Sequence, residues 1–157
     1  MKPIYTAYVS LILLISCNEK QKNEEVKQQS NQVIAESFME AYNNHDLKAL
    51  RNLYSNDATI STVDFEGAKQ VDSAIQKTYG DYFNGAPDLK AVVRKIIVNG
   101  NDIAISFACH GTITNIDKGD PGLKKFKPES MKNKTINIDV VSLFQVKDGK
   151  IIEEKTV

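Results

Sequence analysis

Charge of one sign is missing from this chain: 20 lysine and arginine residues stand against 20 aspartates and glutamates in 157 residues. With no strong net field there is no electrostatic footprint for a nucleic-acid partner. Cysteine and histidine are scarce, at two residues each, too few to suggest a His/Cys metal site. The chain has no glycine-rich phosphate loop and no internal repeat, and neither a metal nor a cofactor is expected. What remains, 41% hydrophobic and 25% charged, is ordinary globular material of one domain's length.

A long hydrophobic run is missing too, with one short exception at the start. Residues 1–16 carry a single charged side chain, Lys2, and the run from Ile4 to Ile15 is broken only by Tyr, Thr and Ser. At about 12 residues it matches the apolar core of a secretory signal and falls short of the ~20 that span a bilayer. Leu14-Ile15-Ser16-Cys17 resembles a bacterial lipobox. That resemblance implies removal of residues 1–16 and acylation of Cys17, which then joins the protein to a membrane through lipid. The alternatives are an uncleaved anchor, or an ordinary signal with an incidental cysteine. Asn18 is not the aspartate associated with inner-membrane retention, so the expected location is the bacterial cell envelope, at the outer membrane. Residues 17–30 are aromatic-free and of mixed charge, a composition that cannot bury a core and reads as a flexible tether. Drawn taut, the 13 residues after Cys17 would reach ~43 Å. Loss of Lys2 leaves 19 basic against 20 acidic residues, and Cys109 becomes a lone thiol expected to be buried.

From residue 31 to 157 the patterning describes one domain. Val33, Ile34, Phe38, Ala41 and Tyr42 share a helical stripe that stops at Asn43-Asn44. Asp46 is placed to cap a second short helix with Leu47, Leu50 and Leu53 inward. After a Ser55-Asn56-Asp57 turn, Ala58 to Val63 predicts a strand. Val71, Ala74, Ile75, Thr78, Tyr79, Tyr82 and Phe83 mark a third helix, closed by Asn84-Gly85-Ala86-Pro87. Four strand-like runs follow, Leu89–Val98, Ile103–Thr114, Thr135–Val146 and Lys150–Thr156, with tight turns at Asn99-Gly100 and at Asp148-Gly149. Helices first and a meander of strands after them predict an α+β domain, in which about three helices pack on a curved antiparallel sheet to make a cone.

"FMEAYNNHDLKALRNLYSNDATI" at 38–60, "PDLKAVVRKIIVNGNDIAI" at 87–105, "GTIT" at 111–114 and "LFQVKDGKIIEE" at 143–154 together resemble the nuclear transport factor 2-like (cystatin-like) superfamily and its SnoaL-like polyketide cyclase branch. The resemblance implies the cone fold with a pocket between helices and sheet, and a frequent homodimer through the open sheet face. The exposed side chains of Lys90, Arg94, Asn137 and Asp139 are candidates for that face. Chemistry is less constrained, because the superfamily hosts isomerases, cyclases, dehydratases and binding modules alike.

Alternation along 103–114 groups Ala104, Ser106, Ala108, His110, Thr112 and Thr114 on one face, which could be a pocket wall. His110 is a candidate general base and Asp139 on the neighbouring strand its partner; the alternative is a solvent-facing pair on the convex side of the sheet. Tyr42, Tyr79, Tyr82 and Phe83 could line a site for a planar apolar ligand, or be core. The resemblance also allows a test of known chemistries. At the positions of the ketosteroid isomerase tyrosine and two carboxylates stand Phe38, Thr62 and Ser142. SnoaL-like cyclases place an acid/base aspartate in the last strand past "GKI.E"; here Glu153 or Glu154 would have to substitute, and Ile113 replaces the histidine after "GT". The segment from Asp117 to Lys134, with six lysines against three acids, is long enough to gate the pocket or touch anionic lipid, or to be a solvated hairpin. The expected activity is binding of a small, largely apolar molecule, the alternatives a proton-transferring cyclase or isomerase and a dimerising interaction module.

Acylation of Cys17 is checked by metabolic labelling with palmitate: the wild-type chain should take up label and lose residues 1–16, and Cys17→Ser should do neither. Label retained by the variant would remove the lipoprotein reading.

Overall fold

The computed structural model describes residues 5–62, 67–115 and 132–157, with side chains from residue 23 onward. Helix α1 runs without a break from Tyr5–Asn43. Residues 18–30 are therefore helical where a flexible tether was expected, and residues 23–30 are all exposed. Glu, Lys and Gln are strong helix formers, and the packed turns that follow supply the costly nucleus. As helix, 13 residues stand off about 20 Å, half of the extended reach. Among the described residues Asn31 is the first buried side chain, and its Nδ2 donates to Gly100 O at 2.8 Å. The buried stripe is Ala35, Phe38, Met39, Ala41 and Tyr42, while Val33 is 55% exposed, one helical step off the face assigned to it.

The end of α1 is a left-handed cap. Asp46 N bonds Ala41 O at 3.0 Å and His45 N bonds Tyr42 O at 3.1 Å, with His45 at φ 55°. A non-glycine residue is disfavoured there. Its ring offsets that cost, because Nε2 lies 2.7 Å from Leu89 O and the ring stacks on Phe83 at 4.2 Å. Helix α2, Leu47–Asn52, starts at Asp46, whose carboxylate accepts from Ala49 N at 2.8 Å.

A third helical segment covers α3, Val71–Ile75, a π-helical turn at Gln76–Gly80, and α4, Asp81–Gly85. The strands are β1 Tyr54–Ser61, β2 Lys69–Gln70, β3 Lys90–Asn99, β4 Asp102–Thr112, β5 Thr135–Lys147 and β6 Lys150–Thr156. They form one sheet in the order β2-β1-β6-β5-β4-β3. All pairs are antiparallel except β1 with β6. The α+β cone expected from the patterning is thus the observed architecture.

Turn chemistry sets the meander. Asn99 pairs with Asp102 across Gly100-Asn101, with positive φ at Gly100 alone among the two, the pattern of a type II′ turn. Lys147 pairs with Lys150 across Asp148-Gly149, both at positive φ, as in type I′. The expected turn at 55–57 is instead part of β1. The pairing of β1 with β6 shifts between Tyr54 and Thr59, so these residues ride a bulge with Asn56 and Asp57 exposed. Val63, and the stretch from Asp117 to residue 131 with its gate or lipid contact, lie outside the described residues.

Candidate functional site

Between the helices and the concave face of the sheet lies a cavity of about 550 Å³. Phe38 and Tyr42 reach it from α1, Thr78, Tyr79 and Tyr82 from the third helical segment, Phe107 and Cys109 from β4, and Ile136, Ile138, Val140 and Ser142 from β5. Strand alternation explains the β4 wall: Ile103, Ile105, Phe107, Cys109 and Ile113 are buried, and His110 on the other face is exposed. Of the two readings of the small polar face, pocket wall or convex solvent side, the structure shows the second, because apolar bulk and not polarity decides which face meets the helices.

The three residues proposed for proton transfer are not brought together. His110 pairs with Asn137 and Asp139 is one alternation farther along β5, where its carboxylate meets Arg94 at 2.6 Å. Asp139 borders the mouth of the cavity yet is two-thirds exposed. Glu153 is exposed on the outer face, at the edge of a shallow groove with Ile97 and Leu143. Of the interface candidates, Lys90 donates through Nζ to Asn43 O, Arg94 holds Asp139, and Asn137 is exposed. Around them Val92, Ile97, Val141 and Leu143 leave an apolar stripe, 36–57% exposed, which is where a second copy would have to pack.

Glu154, not Glu153, faces inward, and a bulge is the reason. Gln145 pairs with Glu153 but Val146 with Ile151, so Ile152 is the extra residue. An extra residue reverses the alternation beyond it, which puts Ile151 and Glu154 on the same side, both buried. The Glu154 carboxyl has 0% exposure. Tyr54 Oη donates to its Oε2 and Tyr79 Oη to its Oε1, each at 2.5 Å, and Thr156 Oγ1 donates to Oε1 at 3.0 Å. Ser142 Oγ is 2.8 Å from Thr156 Oγ1. Burial pushes the Glu154 carboxyl above the usual glutamate range, opposed by the three hydroxyl bonds, which favour the ionised form. Desolvation likewise pushes the Tyr54 and Tyr79 phenols well above the ordinary tyrosine value, with the neighbouring carboxyl adding to it.

The aromatic candidates divide. Tyr42, Tyr79 and Tyr82 line the cavity, and Phe83 stands behind them, edge-on to Tyr42 at 5.3 Å and backed by His45. Tyr42 Oη meets Cys109 Sγ at 3.4 Å; the thiol is free and buried, as expected, and burial raises its pKa, with the Tyr42 hydrogen bond opposing. Phe38, Thr62 and Ser142, which replace the isomerase machinery, all line the cavity. Tyr54 and Thr156 were missed. Tyr54 meets Glu154 across 100 residues, with no local signal to announce it. Thr78 was in view as the polar member of a buried stripe, which is the signal that could have marked it.

Residues 35–154 match the SnoaL-like domain family. Among solved structures, a protein described as a SnoaL-like polyketide cyclase from Jannaschia sp. CCS1 superposes with a TM-score of 0.70 at 18% identity, covering 83% of this chain and 86% of that one. AclR from Streptomyces galilaeus, described as a hydroxylase, gives 0.67 at 16%, covering 83% and 75%. IdmH from Streptomyces antibioticus, described as a polyketide cyclase, gives 0.64 at 20%, covering 80% and 89%. No curated protein matches the chain.

The raised pKa of Glu154 has a sign that can be tested. The folded state holds its proton more tightly than the unfolded chain, so this contribution to stability is fully present below the ordinary glutamate pKa and is lost as pH rises through the folded value. Urea midpoints from pH 4 to 9 should fall more steeply for wild type than for Glu154→Gln. Parallel curves would mean that Glu154 does not titrate in this range.

Proposed function

Because the chain belongs to the SnoaL-like domain family, we propose that it is an envelope-anchored lipoprotein whose cone binds a small, largely apolar molecule. The cavity carries this reading. At about 550 Å³ it falls in the range of ligand sites, which are mostly apolar with a few placed polar groups. Its wall of Phe38, Tyr42, Phe107, Ile136, Ile138 and Val140 is of that kind. The mouth is open along β5, where Ile138 faces the cavity yet is 55% exposed. α1 supports the anchoring: it continues from the domain toward Cys17, exposed over residues 23–30, and would hold the cone clear of a membrane surface.

A second reading, proton transfer on a bound molecule, is favoured by one observation: Glu154 is a fully buried carboxyl whose hydroxyl partners Tyr79 and Thr156 line the cavity. A proton would travel by way of those hydroxyls, since Glu154 is not itself part of the lining. Deuterium exchange at the methyl group of 2-acetylnaphthalene in D₂O, catalysed by wild type and lost in Glu154→Gln, is the expected sign of it. No exchange above the protein-free rate would dispose of catalysis of this kind.

For binding, the neutral fluorophore N-phenyl-1-naphthylamine should bind one to one and saturably. Ile138→Arg, at an exposed position that tolerates charge, should weaken it at least tenfold, since charge set against an apolar contact is strongly disfavoured. Equal affinity in the two proteins would place the probe outside the cone.

A further inference from the structure

Hydroxyl groups at the cavity are nearly all committed to protein partners: Tyr79 to Glu154, Ser142 to Thr156, Tyr42 to Cys109. Thr78 is different. The residue is 4% exposed, lines the cavity, and its Oγ1 makes no hydrogen bond to any described residue. A helical threonine ordinarily satisfies its hydroxyl on the carbonyl one turn back. Here the residue sits in the middle of the π-helical turn Gln76–Gly80, where the backbone repeat is wider, and turns of this kind gather at functional sites. A buried hydroxyl left unpaired bears the full loss of its hydration, and a ligand group that pairs with it recovers that loss.

The charges around the cavity narrow the ligand further. No lysine, arginine or histidine lines it among the described residues. Asp81 borders it, Asp139 stands at its mouth paired with Arg94, and Glu154 stands behind Tyr79 and Thr156. A carboxylate drawn into the interior past that pair would lose its hydration with no cation among the described lining residues to meet it. A cation has no open anion at the deep end either, because Glu154 is enclosed by three hydroxyl donors.

We infer that Thr78 is a specificity-determining residue, and that the cone selects a neutral, largely apolar molecule carrying one hydrogen-bonding group, in the simplest case a carbonyl that accepts from Thr78 Oγ1, while rejecting carboxylates. The inference rests on the reading of the cavity as a binding site and adds the class of molecule it takes.

Three naphthalenes of nearly one shape test it on the purified full-length chain: 2-acetylnaphthalene, its hydrocarbon analogue 2-isopropenylnaphthalene, and 2-naphthoate, each by displacement of N-phenyl-1-naphthylamine at pH 7.5. The ketone should bind about tenfold tighter than the hydrocarbon, the worth of one net hydrogen bond, and naphthoate at least tenfold more weakly than the ketone. Thr78→Val should bring the ratio of ketone to hydrocarbon close to one, and Thr78→Ser should preserve the ratio. A ratio near one in wild type, a ratio that survives Thr78→Val, or naphthoate binding as tightly as ketone overturns the inference. The first of these, seen with wild type and both variants folded and the hydrocarbon bound, leaves the cavity as a binding site and removes only the role of Thr78. Failure of all three compounds to bind removes both.

Discussion

Burial of one carboxyl group constrains how the elements around the cavity must be arranged. Glu154 has no exposure and its partners are hydroxyls, and an ionisable group in that position is tolerable only when each oxygen is satisfied. The donors come from separate parts of the chain: Tyr54 opens β1, Tyr79 lies in the π-helical turn, and Thr156 is two residues along β6. The parallel pairing of β1 with β6 brings Tyr54 alongside, and the bulge at Ile152 turns Glu154 inward. Moving any of these by one residue would leave a buried oxygen without its partner.

The same arrangement divides the cavity into two ends. Near Glu154 the lining is hydroxylic, with Ser142, Thr156 and Tyr79; toward β5 it is hydrocarbon, with Ile136, Ile138 and Val140. An interior of this polarity would orient a bound molecule as well as hold it, since burying apolar surface supplies affinity without direction and hydrogen bonds supply direction. Aromatic packing keeps the shape. Phe38 meets Phe144 edge-on at 4.8 Å and Tyr79 at 6.0 Å, so α1, the third helical segment and β5 are locked together around the space they enclose.

The opposite side of the sheet has a different character. His110 is exposed and the Arg94–Asp139 pair is more than half exposed on both sides, so screening by water leaves that ion pair little energetic weight. The pairing is geometry on a solvated face with an apolar stripe beside it. At the other end of the molecule α1 gives any membrane anchor a stiff connection where an extended tether would give a loose one.

Element order, the two glycine hairpins, the cap at Asp46 and the buried thiol Cys109 were all legible in the sequence, because each depends on residues close together in the chain. Phe38, Thr62 and Ser142, which the resemblance set at the isomerase positions without placing them, line the cavity. The cavity face of β4 was not legible, since alternation defines two faces without saying which one the helices cover; His110 stayed open between a pocket wall and the solvent side until packing put it on the latter. Nor could Glu153 and Glu154 be told apart, because a single bulged residue inverts the side on which each one falls. A helix over 18–30 was hidden by composition that suits an exposed helix and a disordered segment equally. What local sequence determined here is the elements and their turns; tertiary structure alone decided which side chains face inward, because inwardness is a property of pairing partners as far as 100 residues away.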